Sequence, residues 1–175
     1  MLAHVNTLDE KKKISEENIM DTDITRSAWL PYPIEALFAL INEIEAYPQF
    51  LPSCIDAKIL SRTEHHILAQ MTLSKGGLTK TLTTRNTLSP PHQVKMTLVD
   101  GPFKHFEGEW CLLALGNSAT KVTLRLSFQL AHAWLSPVIA PLFASMDVKL
   151  LQAFCDYAKK TLHPELRPSH HAHSH

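Results

Sequence analysis

Between residues 55 and 130 apolar and polar side chains alternate with the period of two that marks strands buried on one side. Ile67, Ala69, Met71 and Leu73 interleave with Leu68, Gln70, Thr72 and Ser74. Val94, Met96 and Leu98 interleave with Lys95, Thr97 and Val99; Phe106, Gly108, Trp110 and Leu112 do so with Glu107, Glu109, Cys111 and Leu113. The clearest run sets Val122, Leu124, Leu126, Phe128 and Leu130 against Thr123, Arg125, Ser127 and Gln129. Two further strands are expected over 55–61 and over the threonine-rich stretch 78–88. Turn chemistry separates the runs at Gly76-Gly77, Pro90-Pro91, Asp100-Gly101-Pro102 and Gly116-Asn117.

Upstream, residues 23–30 read as a first strand closed by Pro31-Tyr32-Pro33. Pro33 suits the first turn of a helix, and Ile34, Leu37, Phe38, Ile41 and Ile44 or Glu45 follow at helical spacing. That predicts an amphipathic helix of about three turns, broken by Pro48 and Pro52. A long C-terminal helix carries Leu142, Phe143, Met146, Leu150, Ala153, Phe154, Tyr157 and Ala158 on one stripe. Ser136-Pro137 reads as its cap, Pro141 as a bend or a later start, and His163-Pro164 as its end.

Strand, short helix, six consecutive strands and long helix imply an α+β fold. Hairpin-length connections require antiparallel pairing, and the terminal helix is the large apolar surface left to cover the sheet. About seven strands twist and curl, so one helix leaves an unfilled tunnel on the concave side. Such a space takes apolar small molecules.

Composition narrows the function. Lys+Arg and Asp+Glu both total 17, which argues against a general nucleic-acid coat and against DNA as partner. No apolar run reaches the length of about 18 residues needed to span a bilayer. Residues 1–20 are polar and of mixed charge, without the apolar core of a secretory signal. They read as a flexible extension, with Met20 a candidate start of translation. The folded domain is expected over 21–163 and a disordered His-rich tail over 164–175. Three widely spaced cysteines (Cys54, Cys111 and Cys155) suit a reducing cytoplasm and offer no disulfide framework.

The segments Tyr47-Pro-Gln-Phe-Leu-Pro-Ser-Cys54, Ser74-Lys-Gly-Gly-Leu-Thr-Lys-Thr-Leu-Thr-Thr-Arg-Asn86 and Val99-Asp-Gly-Pro-Phe-Lys104 with Gly108-Glu-Trp110 stand in order along the chain. Together they resemble the coenzyme Q-binding branch of the START-like (polyketide cyclase) superfamily, and within it the bacterial ribosome association toxins. The resemblance covers about residues 22–162 and implies a helix-grip fold that needs neither cofactor nor metal. One arm of that family binds ubiquinone-like isoprenoid lipids in support of respiration. The bacterial arm binds the large ribosomal subunit and blocks subunit association. The expected function is therefore non-enzymatic binding of an isoprenoid quinone in the sheet–helix cavity, with ribosome binding as the alternative. The expected location is cytoplasmic, with peripheral contact at the inner membrane left open.

Candidate residues follow from strand parity. Met96, Leu98, Trp110, Leu112, Leu124, Leu126, Phe128, Phe143, Met146 and Leu150 form an inward set that suits either a lipid tunnel or ordinary core. Tyr47, Phe50 and Leu51 suit a gate over the cavity or an apolar tip touching a membrane, or else a rigid turn with inward-packed rings. Lys75, Lys80, Arg85, Lys95 and Lys104 cluster around two turns. They make a basic patch for rRNA phosphates or lipid headgroups if those turns share one end, and a scattered solvated face otherwise. The strand over 78–88 has polar residues on both faces, which leaves the side taken by Arg85 open; turned inward, it would meet a ligand head. There is no G-x-S-x-G elbow, P-loop or G-x-G-x-x-G, and nothing brings Asp100 together with Glu107 or Glu109 as an acid/base pair. His170, His171, His173 and His175 lack the fixed geometry of a metal site, and His65-His66 falls at an expected exposed turn.

Overall fold

A computed structural model describes residues 5–6, 21–132 and 146–162. Its strands are β1 (Val5–Asn6), β2 (Asp21–Leu30), β3 (Cys54–Arg62), β4 (His66–Lys75), β5 (Leu78–Ser89), β6 (Gln93–Asp100), β7 (Phe103–Leu115) and β8 (Ala119–Leu130). They form one antiparallel sheet in the order β1-β2-β8-β7-β6-β5-β4-β3. Six strands thus run as an uninterrupted meander, and β2 returns to pair with β8 from Asp21↔Gln129 to Leu30↔Thr120. Gly76 and Gly77, with φ of 60° and 81°, supply the left-handed pair that a tight hairpin demands. The two-residue β1 falls inside the expected flexible extension and pairs with β2 through Val5↔Ala28 and Asn6↔Ser27. Met20 and the His-rich tail lie outside the described residues.

The first helix, α1 (Ile34–Ile41), is shorter than its spacing predicts. Pro33 occupies the N-cap, and Glu35 in the first turn complements the helix dipole. At the other end, Asn42 Nδ2 donates to the Phe38 carbonyl at 2.8 Å and closes the helix. The chain continues as a 3₁₀ turn (Ile44–Gln49) containing Pro48. Proline lacks the donor that a longer α-helix would need there.

The second helix, α2 (Met146–Leu162), covers the concave face of the sheet. Leu150, Leu151, Phe154, Cys155 and Ala158 are buried at three- and four-residue spacing. The Phe154 ring lies 5.2 Å from that of Trp110 on β7, joining helix to sheet. The expected start of this helix at Ser136-Pro137, the Pro141 bend and the His163-Pro164 end lie outside the described residues.

Strand alternation fails in a regular way. The β3–β4 pairing shifts register at Ile55 and again at Leu60, the β5–β6 pairing at Val99, and the β7–β8 pairing at Lys104. Each shift leaves one residue unpaired and bends the sheet. Ile55, Leu60 and Val99 are among the large apolar side chains that remain exposed, because the extra residue is turned away from the core.

Candidate functional site

Between sheet and α2 lies a cavity of about 70 Å³. β4 to β8 contribute Met71, Leu73, Leu82, Met96, Phe106, Trp110, Leu124 and Leu126, and α2 contributes Leu150 and Phe154. Tyr47, Phe50 and Leu51 close it from the segment after α1. Phe50 stacks on Tyr157 of α2 at 4.4 Å and meets Tyr47 and Phe154 edge-on. These three side chains therefore form an inward-packed aromatic stopper and not an exposed tip. Ser53, just beyond them, holds φ of 65° without being glycine, while its carbonyl accepts from the Ser74 amide at 2.8 Å. That tie sets the turn from the stopper into β3.

The lining offers no charge. The Tyr47 hydroxyl donates to the Ile41 carbonyl at 2.5 Å, and burial, with Cys54 adding to it, pushes its pKa far above the ordinary tyrosine range. Burial likewise pushes the Cys54 thiol up to about 11. A neutral, water-poor hollow is the result. Gly108 opposite Met96 belongs to its construction: a Cβ there would sit 2.4 Å from Met96 Cε and 3.2 Å from Leu126 Cδ2. The missing side chain lets Met96 lie flat against β7.

Of the inward set, Met96, Trp110, Leu124, Leu126 and Leu150 line the hollow. Leu112 and Phe128 are buried elsewhere in the core, Phe128 edge-on to Phe103 at 5.6 Å, and Leu98 is half-buried against it. These three are corrected from cavity to core, since the hollow occupies only part of the concave face. Phe143 and the Met146 side chain lie outside the described residues. Met71, Leu73, Leu82, Phe106 and Phe154 line the hollow without having been singled out. Four of them had a strand or helix parity that allowed it; Leu82 sits in the stretch whose parity could not be read.

The basic residues divide. The β4–β5 and β6–β7 turns lie toward the same end of the meander, which places Lys75, Lys80 and Lys104 toward that end, with the β4–β5 hairpin reaching five residues beyond the level of Asp100. Lys80 is opposite Leu73 on the concave side and half-buried, whereas Lys75 and Lys104 are exposed. Arg85 and Lys95 lie farther along, exposed on the convex face. Arg85 thus takes the outward side that the pattern of its strand left open: Thr84 and Asn86 hold the buried positions on either side of it.

The convex face also carries hydroxyls, with Thr72 beside Thr81 and Ser27 bonded to Thr123 at 2.9 Å, next to the exposed Trp29 and Leu113. Glu109 lies there, bound by Arg125 at 3.0 Å and by Gln93. Burial pulls its pKa up, but those two donors hold the net value below the usual carboxylate range. It faces away from Trp110 and does not converge with Asp100. Among the described residues no group of three or more His, Cys, Asp and Glu could hold a metal ion, and no helix is long and apolar enough to cross a membrane.

Comparison with known proteins places this geometry. A family model described as polyketide cyclase / dehydrase and lipid transport matches residues 30–155. The chain is 42% identical over 141 residues to a ribosome association toxin, RatA, of Pseudomonas aeruginosa, covering 81% of this chain and 98% of that protein. A more distant relative, a mitochondrial coenzyme Q-binding protein of Schizosaccharomyces pombe, is 26% identical over 144 residues, covering 76% of this chain and 84% of its own length. The crystal structure of the Zhui aromatase/cyclase from a Streptomyces species superposes with a TM-score of 0.71 at 16% identity, over 81% of this chain and 96% of that one. At that identity the last match speaks for the shared helix-grip fold alone. Sheet, gripping helix and sequence thus agree, and the chain belongs to the polyketide cyclase / dehydrase and lipid transport family.

Proposed function

We propose that this protein docks on the large ribosomal subunit and blocks subunit association, with no bond chemistry and no cofactor. The observation that carries the reading is the 42% identity to a ribosome association toxin over nearly that protein's full length. The interior supports it indirectly. Pockets for small molecules usually measure about 300–1,000 Å³ and place a few polar groups on the ligand. This hollow measures about 70 Å³, and its lining has no charged side chain. The activity is then carried by the exterior, where Lys75, Lys80 and Lys104 present cations at one end of the sheet to rRNA phosphates.

Overexpression should shift sucrose-gradient profiles from intact ribosomes toward free subunits, and an unchanged profile would reject the reading. Joint replacement Lys75→Glu, Lys80→Glu and Lys104→Glu should abolish the shift. Three phosphate contacts also imply an affinity for the isolated large subunit that falls roughly 20- to 40-fold between about 50 and 200 mM salt.

The wholly apolar hollow favours a second reading, in which it admits an apolar chain such as that of an isoprenoid quinone once the stopper moves. Lipid extraction and mass spectrometry of the purified protein decide it. A co-purified quinone supports the reading, and a lipid-free protein removes it.

A further inference from the structure

At the end of the sheet opposite the lysines, α1 and the 3₁₀ turn face the β3–β4 and β5–β6 turns across an open groove of about 650 Å³. Phe38, Ile44, Ile59 and Leu88 give it apolar walls. Among the described residues its rim carries Glu43, Glu45 and Glu64 against one cation, Arg62. Arg62 is already engaged, its Nη2 donating to the Asn42 carbonyl at 3.1 Å. Glu45 Oε1 receives only a long bond from the Ile59 amide at 3.4 Å, and Glu64 stands 3.9 Å from the ring of His65 at the surface.

Asn42 makes this more than an acidic cluster. It belongs to the groove lining yet is only 8% exposed. Its Nδ2 is committed to the Phe38 carbonyl, which fixes the orientation of the amide. Its Oδ1 is then a buried acceptor with no donor among the described residues. Leaving such an atom unmatched costs about 1–3 kcal/mol, so a donor, from water or from a ligand, belongs beside it. Three carboxylates around apolar walls suit a positively charged hydrogen-bond donor with apolar flanks, and Asn42 adds an amide to the same lining.

We propose that this groove is a docking site for a basic peptide segment of a protein partner, with a lysine or arginine head placed among Glu43, Glu45 and Glu64 and aliphatic neighbours on the Phe38–Leu88 walls. The proposal is independent of the ribosome reading and concerns the opposite end of the molecule. Carboxylates repel phosphates, so nucleic acid is the wrong partner for it.

Fluorescence anisotropy of the full chain with a labelled hexapeptide of alternating leucine and arginine tests the site, alongside the same peptide with glutamate for arginine. The arginine peptide should bind and the glutamate peptide should not. The joint variant Glu43→Gln/Glu45→Gln/Glu64→Gln, which changes exposed side chains only, should weaken binding roughly tenfold or more. Amide shift changes in labelled protein should fall on residues 38–46 and 59–64. Equal binding of both peptides, an unaltered affinity of the glutamine variant, or shifts confined to residues 75–80 and 100–104 would each overturn the proposal. So would displacement of the peptide by an rRNA fragment of the large subunit.

Discussion

Two hollows among the described residues have opposite character. The inner one, about 70 Å³, is closed on one side by an aromatic stopper and walled by side chains from five strands and a helix. The outer one, about 650 Å³, is open, edged with carboxylates and built from turns and a short helix. A long-range core holds the first, so any change in it is felt by the whole fold. Local segments shape the second, so its chemistry can change while the fold stays. Size and solvation thus separate the part that defines the structure from the parts free to define partners.

The strongest way to break this contrast is Trp110→Ala. Trp110 is 5% exposed and touches Phe154, and its loss should cost about 3–5 kcal/mol, read from urea unfolding. A smaller loss would mean that the inner hollow collapses easily and is not held by its walls.

Alkaline pH probes the same region. Burial pushes the thiols of Cys54 and Cys155 up to about 11 from an ordinary value of 9.0. Below pH 9 folded and unfolded chains both keep these protons, and the stabilisation is fully present. Between pH 9 and 11 the unfolded chain releases them first, so stability should fall by about 1.4 kcal/mol per pH unit for each thiol. The pair Cys54→Ala/Cys155→Ala should flatten that slope.

Gly108→Ala is gentler. It pushes the flexible tip of Met96 into the hollow and should cost about 1 kcal/mol in the same urea measurement. It should also remove any co-purifying lipid while leaving ribosome binding intact. The outer rim should matter least. Glu43→Gln/Glu45→Gln/Glu64→Gln should change stability by no more than about 0.5 kcal/mol, since these side chains face water. A larger loss would make the rim part of the fold.

The fold was readable where the period of two is unbroken. Val122 to Leu130 alternates as expected along β8, and its partners follow in register on β2 throughout and on β7 as far as Gln129. It was not readable where register shifts insert a residue, as at Ile55, Leu60 and Val99, because no local signal marks an unpaired apolar position. Threonines on both faces hid the orientation of β5, and with it the outward turn of Arg85 and the place of Leu82. The stopper depended on Phe50 meeting Tyr157, a contact between residues far apart in sequence. Asn42 carried no signal at all; its meaning comes from a helix ending where a neighbouring turn supplies carboxylates.

The pairing of β2 with β8 has a consequence for synthesis. Ser27 must find Thr123, a separation of 96 residues, before the sheet can gain its far strand. At a translation speed of about 5–20 residues per second, β2 waits roughly 5–20 s for its neighbour to be made. Through that interval Ile24, Ala28 and Leu30 are without the strand that will bury them. The newborn chain is therefore most vulnerable to aggregation at β2, and safe there only once β8 has been made.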